Sequence, residues 1–371
     1  MIDRMFDNRI KIGVTQGDTN GVGWEVILKA LANPMVVELC TPIIYGNRKA
    51  AEFYTSLIDM EDMEPIKYFY CSSAEEARYG AINFVDVGEK ELKIEPGKAT
   101  EAAAKAAMAA LEAAAKDLKN GSLNAVVTAP INKESINAAG FGFTGHTEFF
   151  ADKAEGEAMM IMCSEILRVA LATIHIPVEK VSSSINKEAL VSQLSLLRDT
   201  LKRDFGVVEP RIAVLSLNPH AGDGGLLGTE ENEIIRPAVN EAYEAGILAF
   251  GPMAADGLFA SGSFSKYDAI LAMYHDQGLT PFKTLSPDGV NVTAGLNIVR
   301  TSPDHGVAYD IAGQGTADAQ SMRNAIYAAI DIVRRRESFA RWSRNPLERF
   351  ERDKGRDMSM KDIKVENTTE Q

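Results

Sequence analysis

Short apolar runs alternate with amphipathic stretches along almost the whole chain, and this rhythm constrains the fold more than any other feature. Segments 10–15, 42–45, 82–87 and 125–128 predict strands, as do 169–174, 212–217 and 269–273. Helical patterning fills 22–31, 99–120, 185–205, 230–245 and 318–336. The clearest helix is 99–120, rich in alanine with interspersed Glu and Lys, and stopped by Asn120 and Gly121. The last helix turns basic at its C-terminal end, which suits the macrodipole. Such alternation predicts an α/β fold with a largely parallel sheet.

A chain of 371 residues is long for one core and suits two lobes. No internal repeat and no linker rich in Pro, Gly and Ser separates them, so the lobes are expected to share a sheet. The expected division is 1–130 with 290–336 in the first lobe and 131–289 in the second. The tail 337–371 is highly charged, with Phe339, Trp342, Leu347 and Phe350 as its few large apolar residues. It predicts a short helix and then disorder after 354.

Composition excludes several classes. A formal net charge of −13 repels nucleic acid, and no basic patch interleaved with aromatics offsets it. No apolar run reaches the roughly eighteen residues of a membrane span. Residues 1–7 carry no secretory pattern. Three scattered cysteines make no disulfide framework and no CxxC zinc pair, so a reducing cytoplasm is expected.

The histidines carry the strongest chemical signal. Five occur, and three share one context: His175 in Thr173-Ile174-His175, His220 in Asn218-Pro219-His220-Ala221-Gly222, and His275 in Tyr274-His275-Asp276-Gln277-Gly278. Each follows an apolar strand at the point where it gives way to a loop, and strand ends line the ligand crevice of open α/β sheets. One such histidine alone reads as a packed or surface residue. Three in the same context point to a divalent metal with an open coordination position. His146 lies at a glycine turn opening a helix, Thr144-Gly145-His146-Thr147-Glu148. There backbone N–H groups, the Thr147 hydroxyl and the ring make an anion cradle, or simply an ordinary helix start.

The segment 305–315 joins His305, Gly306, Asp310, Gly313 and Gly315 ahead of the last helix. It is either a nucleotide-holding loop or a tight turn. Arg300 ends an apolar run and with Lys283 offers two cations for phosphate or carboxylate, unless both are solvated surface charges. Gly17-Asp18-Thr19-Asn20-Gly21-Val22-Gly23 lacks the Walker lysine and reads as a structural turn rather than a nucleotide loop.

Gly145-His146-Thr147-Glu148, Asn218-Pro219-His220-Ala221-Gly222, Tyr274-His275-Asp276-Gln277-Gly278, Asn291-Val292-Thr293, Arg300-Thr301-Ser302 and Asp304-His305-Gly306 together resemble the 4-hydroxythreonine-4-phosphate dehydrogenase family. The likeness runs from about residue 10 to about 336. It implies two α/β lobes like those of isocitrate and isopropylmalate dehydrogenases, with the active site in the cleft between them. The first lobe would then be the nucleotide side, and the second the metal and dimer side. The resemblance implies a divalent metal (zinc, magnesium or cobalt) on His175, His220 and His275. It implies substrate contacts from His146, Thr147, Lys283, Asn291 and Arg300, and an acidic neighbour at Asp256. The 305–315 loop is similar to the adenosine-binding loop of isocitrate and isopropylmalate dehydrogenases, which implies NAD, with NADP as an allowed substitute. A homodimer with active sites at the subunit interface is implied as well, as is a small phosphorylated amino-acid substrate. Thr19-Asn20, Trp24, Asn297 and Val307 depart from the family's usual residues.

The implied reaction is oxidation of a phosphorylated hydroxy acid to a β-keto acid, followed by decarboxylation. Lys283 and Asp256 are the alternative proton carriers. Three other readings use the same sequence. A sister dehydrogenase would act on a phosphorylated sugar acid such as 4-phospho-threonate or 4-phospho-erythronate. A phosphate acyltransferase shares the fold without the redox step. A non-catalytic metabolite-binding protein would keep the pocket alone.

Overall fold

The computed structural model describes residues 10–57 and 66–346. Residues 1–7, read above as lacking a secretory pattern, and the tail beyond 346 lie outside the described residues. Among the described residues the chain forms strands β1 (Lys11–Thr15), β2 (Thr41–Gly46), β3 (Tyr68–Cys71), β4 (Ile82–Asp86), β5 (Ala125–Thr128) and β6 (Gly156–Cys163). They are followed by β7 (Arg168–Leu171), β8 (Arg211–Leu215), β9 (Leu248–Met253), β10 (Ala269–Ala272), β11 (Val290–Leu296) and β12 (Arg300–Pro303).

All of them join one sheet in the order β3-β4-β2-β1-β5-β12-β11-β6-β7-β10-β8-β9. The flanks, from β3 to β12 and from β7 to β9, are parallel. Between them lie three successive antiparallel pairings, β12 with β11, β11 with β6 and β6 with β7. The two parallel flanks therefore run in opposite directions. The expected shared sheet is present, and its centre is antiparallel.

The flanks follow from their residues. Strand β2 is buried along its whole length, as strands covered on both faces are. The alanine-rich helix is Glu101–Lys119. The Thr100 hydroxyl accepts from the Ala103 N–H at 3.2 Å, and Gly121 has φ 75° just past its end. Its small buried face (Ala103, Ala107, Ala110, Ala114) lets it lie close against the sheet. Trp24, one of the departures noted above, is fully buried, and its indole donates to Gln16 at 3.2 Å. A Cβ at Gly46 would stand 2.6 Å from that ring, so the glycine makes the room.

Two helices differ from expectation. Segment 230–245 opens with a π-helical turn, Glu231–Ile235, and becomes α-helical at Arg236–Glu244. Pro237 has no N–H to donate backwards, so the regular helix starts there. The last helix, Gln320–Ser343, runs past 336 because 337–343 offers it no breaker. Arg335 and Arg336 therefore stand before its last turn, where only Arg341 meets the macrodipole, and they serve as docking groups instead. Arg336 makes two 2.8 Å bonds to the buried Asp204, and Arg335 donates to the Phe205 carbonyl at 2.6 Å. Burial alone would raise the Asp204 pKa, but Arg336 and Arg203 outweigh it and hold the carboxyl below its ordinary value.

Candidate active site

The antiparallel centre forms the floor of a cavity of about 280 Å³. Pleat parity fixes what that floor contains. Arg300 pairs with Thr293 and Ser302 with Asn291, while Thr293 and Asn291 pair across to Met160 and Met162. Directly paired side chains point to the same face. One row of alternate residues therefore carries Arg300, Ser302, Asn291, Met160 and Met162 into one cavity, and Thr128 joins them from β5.

Arg300 is 2% exposed and held by hydroxyls. It donates to Thr128 at 2.7 and 3.2 Å and to Thr293 at 3.1 Å. Burial pulls its pKa down to about 9, with Glu148 opposing, so it stays cationic at neutral pH. Among the described residues no carboxylate is bonded to it. The Asn291 Oδ1 is buried without a hydrogen-bond partner among the described residues, and so is the His146 Nε2. Buried polar atoms left in this way are costly unless a ligand satisfies them.

The walls come from loops at strand ends. The helix His146–Lys153 begins where the glycine turn predicted, at an uncapped Gly145. His146, Thr147 and Glu148 line the cavity, and the His146 Nδ1 stands 3.5 Å from the Thr128 hydroxyl. Burial, with Arg300 and Lys133 near, holds the His146 ring well below the usual histidine range, so it is neutral. Lys283 lines the opposite wall. It bonds Asp304 through its carboxylate at 2.9 Å and through its carbonyl at 3.2 Å. Burial raises the Asp304 pKa against the pull of Lys283.

The strand order β7-β10-β8-β9 sets His175, His275, His220 and Asp256 in that sequence after four neighbouring strand ends. His175 and His275 both line the cavity, with ring centroids 5.9 Å apart. The His275 Nδ1 lies 2.7 Å from Asp276, which leaves its Nε2 as the free nitrogen. Burial, followed by Lys133, lowers the His175 pKa and keeps that ring neutral. This pair fits two positions of a metal site. His220 and Asp256 are exposed and do not line the cavity, and among the described residues no three of His, Cys, Asp and Glu stand together as a ligand set. His220 sits in a left-handed turn with Ala221 and Asp223, at φ 53°, 53° and 43°. Each costs about 1 kcal/mol. The buried Glu231 pins the turn's start, accepting from the Leu217 and Asn218 N–H groups at 2.8 and 2.7 Å.

In the glycine-rich segment, His305 and Gly306 reach the cavity. His305 also lines a neighbouring cavity of about 270 Å³ with Val22, Val26, Ile311, Asp288 and Asp318. Gly313 and Gly315 take φ 82° and 68°, and Asp310 is exposed. The turn after β1 is structural, as expected. The Asn20 side chain bonds Lys98, Thr100 and Glu95, and Asp18 accepts from the Tyr309 hydroxyl at 2.7 Å.

Sequence reasoning missed Lys133, Glu148 and Asp304 as lining groups. Lys133 follows the end of β5, the same strand-end position that singled out the histidines, so that rule extended to lysine would have found it.

A twelve-stranded α/β sheet with a cationic, histidine-lined cavity at its antiparallel centre is shared with solved enzymes of the dehydrogenase class. The solved 4-hydroxythreonine-4-phosphate dehydrogenase of Klebsiella pneumoniae superposes with a TM-score of 0.75 at 34% identity, over 88% of this chain and 98% of that one. The chain belongs to the family described as pyridoxal phosphate biosynthetic protein PdxA, whose model matches residues 38–329. A 4-hydroxythreonine-4-phosphate dehydrogenase of Bacteroides thetaiotaomicron is 50% identical over 346 residues, 92% of this chain and 94% of the relative. Another, of Desulforapulum autotrophicum, is 41% identical over 333 residues, 88% and 96% of the two chains.

Proposed function

We propose that the chain is an NAD-dependent, divalent-metal-dependent 4-hydroxythreonine-4-phosphate dehydrogenase. It would oxidise 4-phosphohydroxy-L-threonine to a 2-amino-3-oxo acid phosphate, which loses carbon dioxide to give 3-amino-2-oxopropyl phosphate. The observation that carries this reading is one cavity gathering His146, Thr147, His175, His275, Lys283, Asn291 and Arg300 in a member of this family.

The chain's own groups divide the work. Arg300, the neutral His146 and the Thr147 end of its helix hold the substrate's anionic groups. Asn291 orients it through its unpartnered Oδ1. Lys283 would carry the hydroxyl proton by passing one of its own to the paired Asp304 carboxylate, whose pKa burial raises. It is preferred to Asp256, which does not line this cavity in its own chain. The chemistry supplied by a bound divalent cation is a lowered hydroxyl pKa, and that supplied by the nicotinamide is a hydride acceptor. His175 and His275 would hold the cation, and the 305–315 loop with its adjoining cavity would hold the nucleotide.

The row of strand ends leaves His220 outside the cavity of its own chain, which favours a homodimer in which His220 of the partner subunit completes the ligand set. A cytoplasmic location accords with the free thiols. Cys40 and Cys163 are buried, and burial pushes both up to about 12. Among the described residues no helix is long and apolar enough to cross a membrane.

The test is NADH formation from 4-phosphohydroxy-L-threonine, with 4-phospho-threonate alongside and a chelator in a parallel sample. Turnover of the first substrate, abolished by chelation, is the expected result. Turnover of the second alone would replace the substrate assignment. His220→Ala and His175→Ala, each inactive alone, should recover up to about a quarter of wild-type activity when co-assembled, because mixed dimers hold one intact site. No recovery would defeat the shared site.

A further inference from the structure

The helix after β1 contains a carboxylate that the proposed chemistry does not use. Glu25 is 0% exposed. Its Oε1 accepts from the Gly313 N–H at 2.6 Å, and its Oε2 is buried without a hydrogen-bond partner among the described residues. One turn further along the same helix, the Lys29 ammonium donates to the carbonyls of Gly315 and Ala317, both at 2.7 Å. A buried carboxylate with one oxygen left over is an expensive way to hold a single N–H. Its position explains the choice: Glu25 and Lys29 grip the same strand-to-helix loop, four residues apart on one helix face.

The rest of the loop is held from the same side. The Val22 N–H donates to the Val307 carbonyl at 2.9 Å, and the Tyr309 hydroxyl donates to Asp18 at 2.7 Å. The approach is close enough to need glycine. A Cβ at Gly21 would lie 2.8 Å from the Val307 carbonyl oxygen, and one at Gly313 would lie 2.8 Å from Pro96. Val22 and Val26 of this helix also wall the cavity that His305, Ala308 and Ile311 of the loop close from the other side.

We propose that Glu25 and Lys29 are positioning residues for the nucleotide: they fix the backbone of 307–317 in the one shape that leaves the adjoining cavity open. The inference rests on the NAD reading given above. The turn after β1, which carries no phosphate-loop lysine, thereby serves cofactor binding at second hand, by cradling the loop that meets the cofactor. Neither side chain need touch the nucleotide.

The experiment measures NADH affinity by fluorescence titration of the full chain, with hydrogen exchange of the 307–317 amides as a second readout. In Glu25→Ala the Gly313 N–H loses its acceptor, and in Lys29→Met two carbonyls lose their donor. Each variant should weaken NADH roughly tenfold, raise KM for NAD to match, and speed loop exchange, with kcat at saturating NAD and the substrate KM within about twofold. Glu25→Gln keeps an acceptor for Gly313 and should bind within about threefold of wild type. Lys29 is only half-buried, so Lys29→Met decides the question if Glu25→Ala does not fold. Variants that bind NADH as tightly as a binding wild type, with unchanged exchange, would overturn the cradle alone. A wild type that does not bind NADH would overturn the cofactor reading on which it rests.

Discussion

The floor of the cavity and its rim are built on different terms. On the floor, Arg300 is buried, bonded to two threonines and fixed by strand register. On the rim Lys283 is exposed, and beyond it His220 and Asp256 lie exposed outside the cavity, His220 on a left-handed turn. The floor's bonds lie within one chain, whereas His175 and His275 stand together at the cavity and His220 stands apart from it. A buried floor gives fixed charge in a weakly screened setting, and an exposed rim gives reach and adaptability. Under the proposed function, substrate anchoring would belong to the single chain, and a second copy would complete the metal site.

This contrast can be broken in order of expected effect. Arg300→Met should cost the most, roughly a hundredfold to a thousandfold in kcat/KM, because it removes a desolvated cation aimed at an anionic substrate. Steady-state kinetics with a circular dichroism check reads it, and a loss under about tenfold would place the anchor elsewhere. Asp304→Asn should come next. Lys283 loses its carboxylate, and kcat/KM should fall roughly tenfold, while the melting temperature moves by less than about 3 °C because Lys283 is half exposed. A large melting shift without a kinetic loss would make the pair structural.

The smallest effect is a pH slope. The folded-state pKa of His146 is depressed by burial, Arg300 and Lys133, so the unfolded chain binds a proton there more readily. Its contribution to stability is complete above 6.5 and is lost as pH falls from 6.5 towards the depressed folded value. His146→Gln should flatten that part of a urea-unfolding series. An unchanged slope would show that the ring is not held neutral.

The inner strands of the parallel flanks were legible because they are apolar runs punctuated by capped helices, as in β2 and in Glu101–Lys119 with its Thr100 cap, while the edge strands β3 and β9 were not predicted. The antiparallel centre was not. Strand β6 is rich in methionine, which is a weak strand signal, and β11 interrupts its apolar pattern with Asn291, Thr293 and Gly295. Asn291 lines the cavity and Thr293 holds Arg300, so residues that serve the site are among those that spoil the periodicity. Predicted cavity residues such as His146, Lys283 and Arg300 could be named from local motifs. The separation of His220 from His175 and His275 could not, because it depends on the left-handed turn that carries His220 and not on its neighbouring sequence pattern. The roles of Glu25 and Asp304 were hidden for a similar reason, since each is defined by a partner distant in the chain, Gly313 and Lys283.

The uninterrupted run of hydrogen bonds from β3 to β9 also limits how the molecule can breathe. Among the described residues the two halves share this one sheet, so widening the cavity would bend β11 and β6 as an elastic plate. Ligand access and resistance to unfolding are thereby tied to the same springs, and a change that softens those two strands would loosen both together.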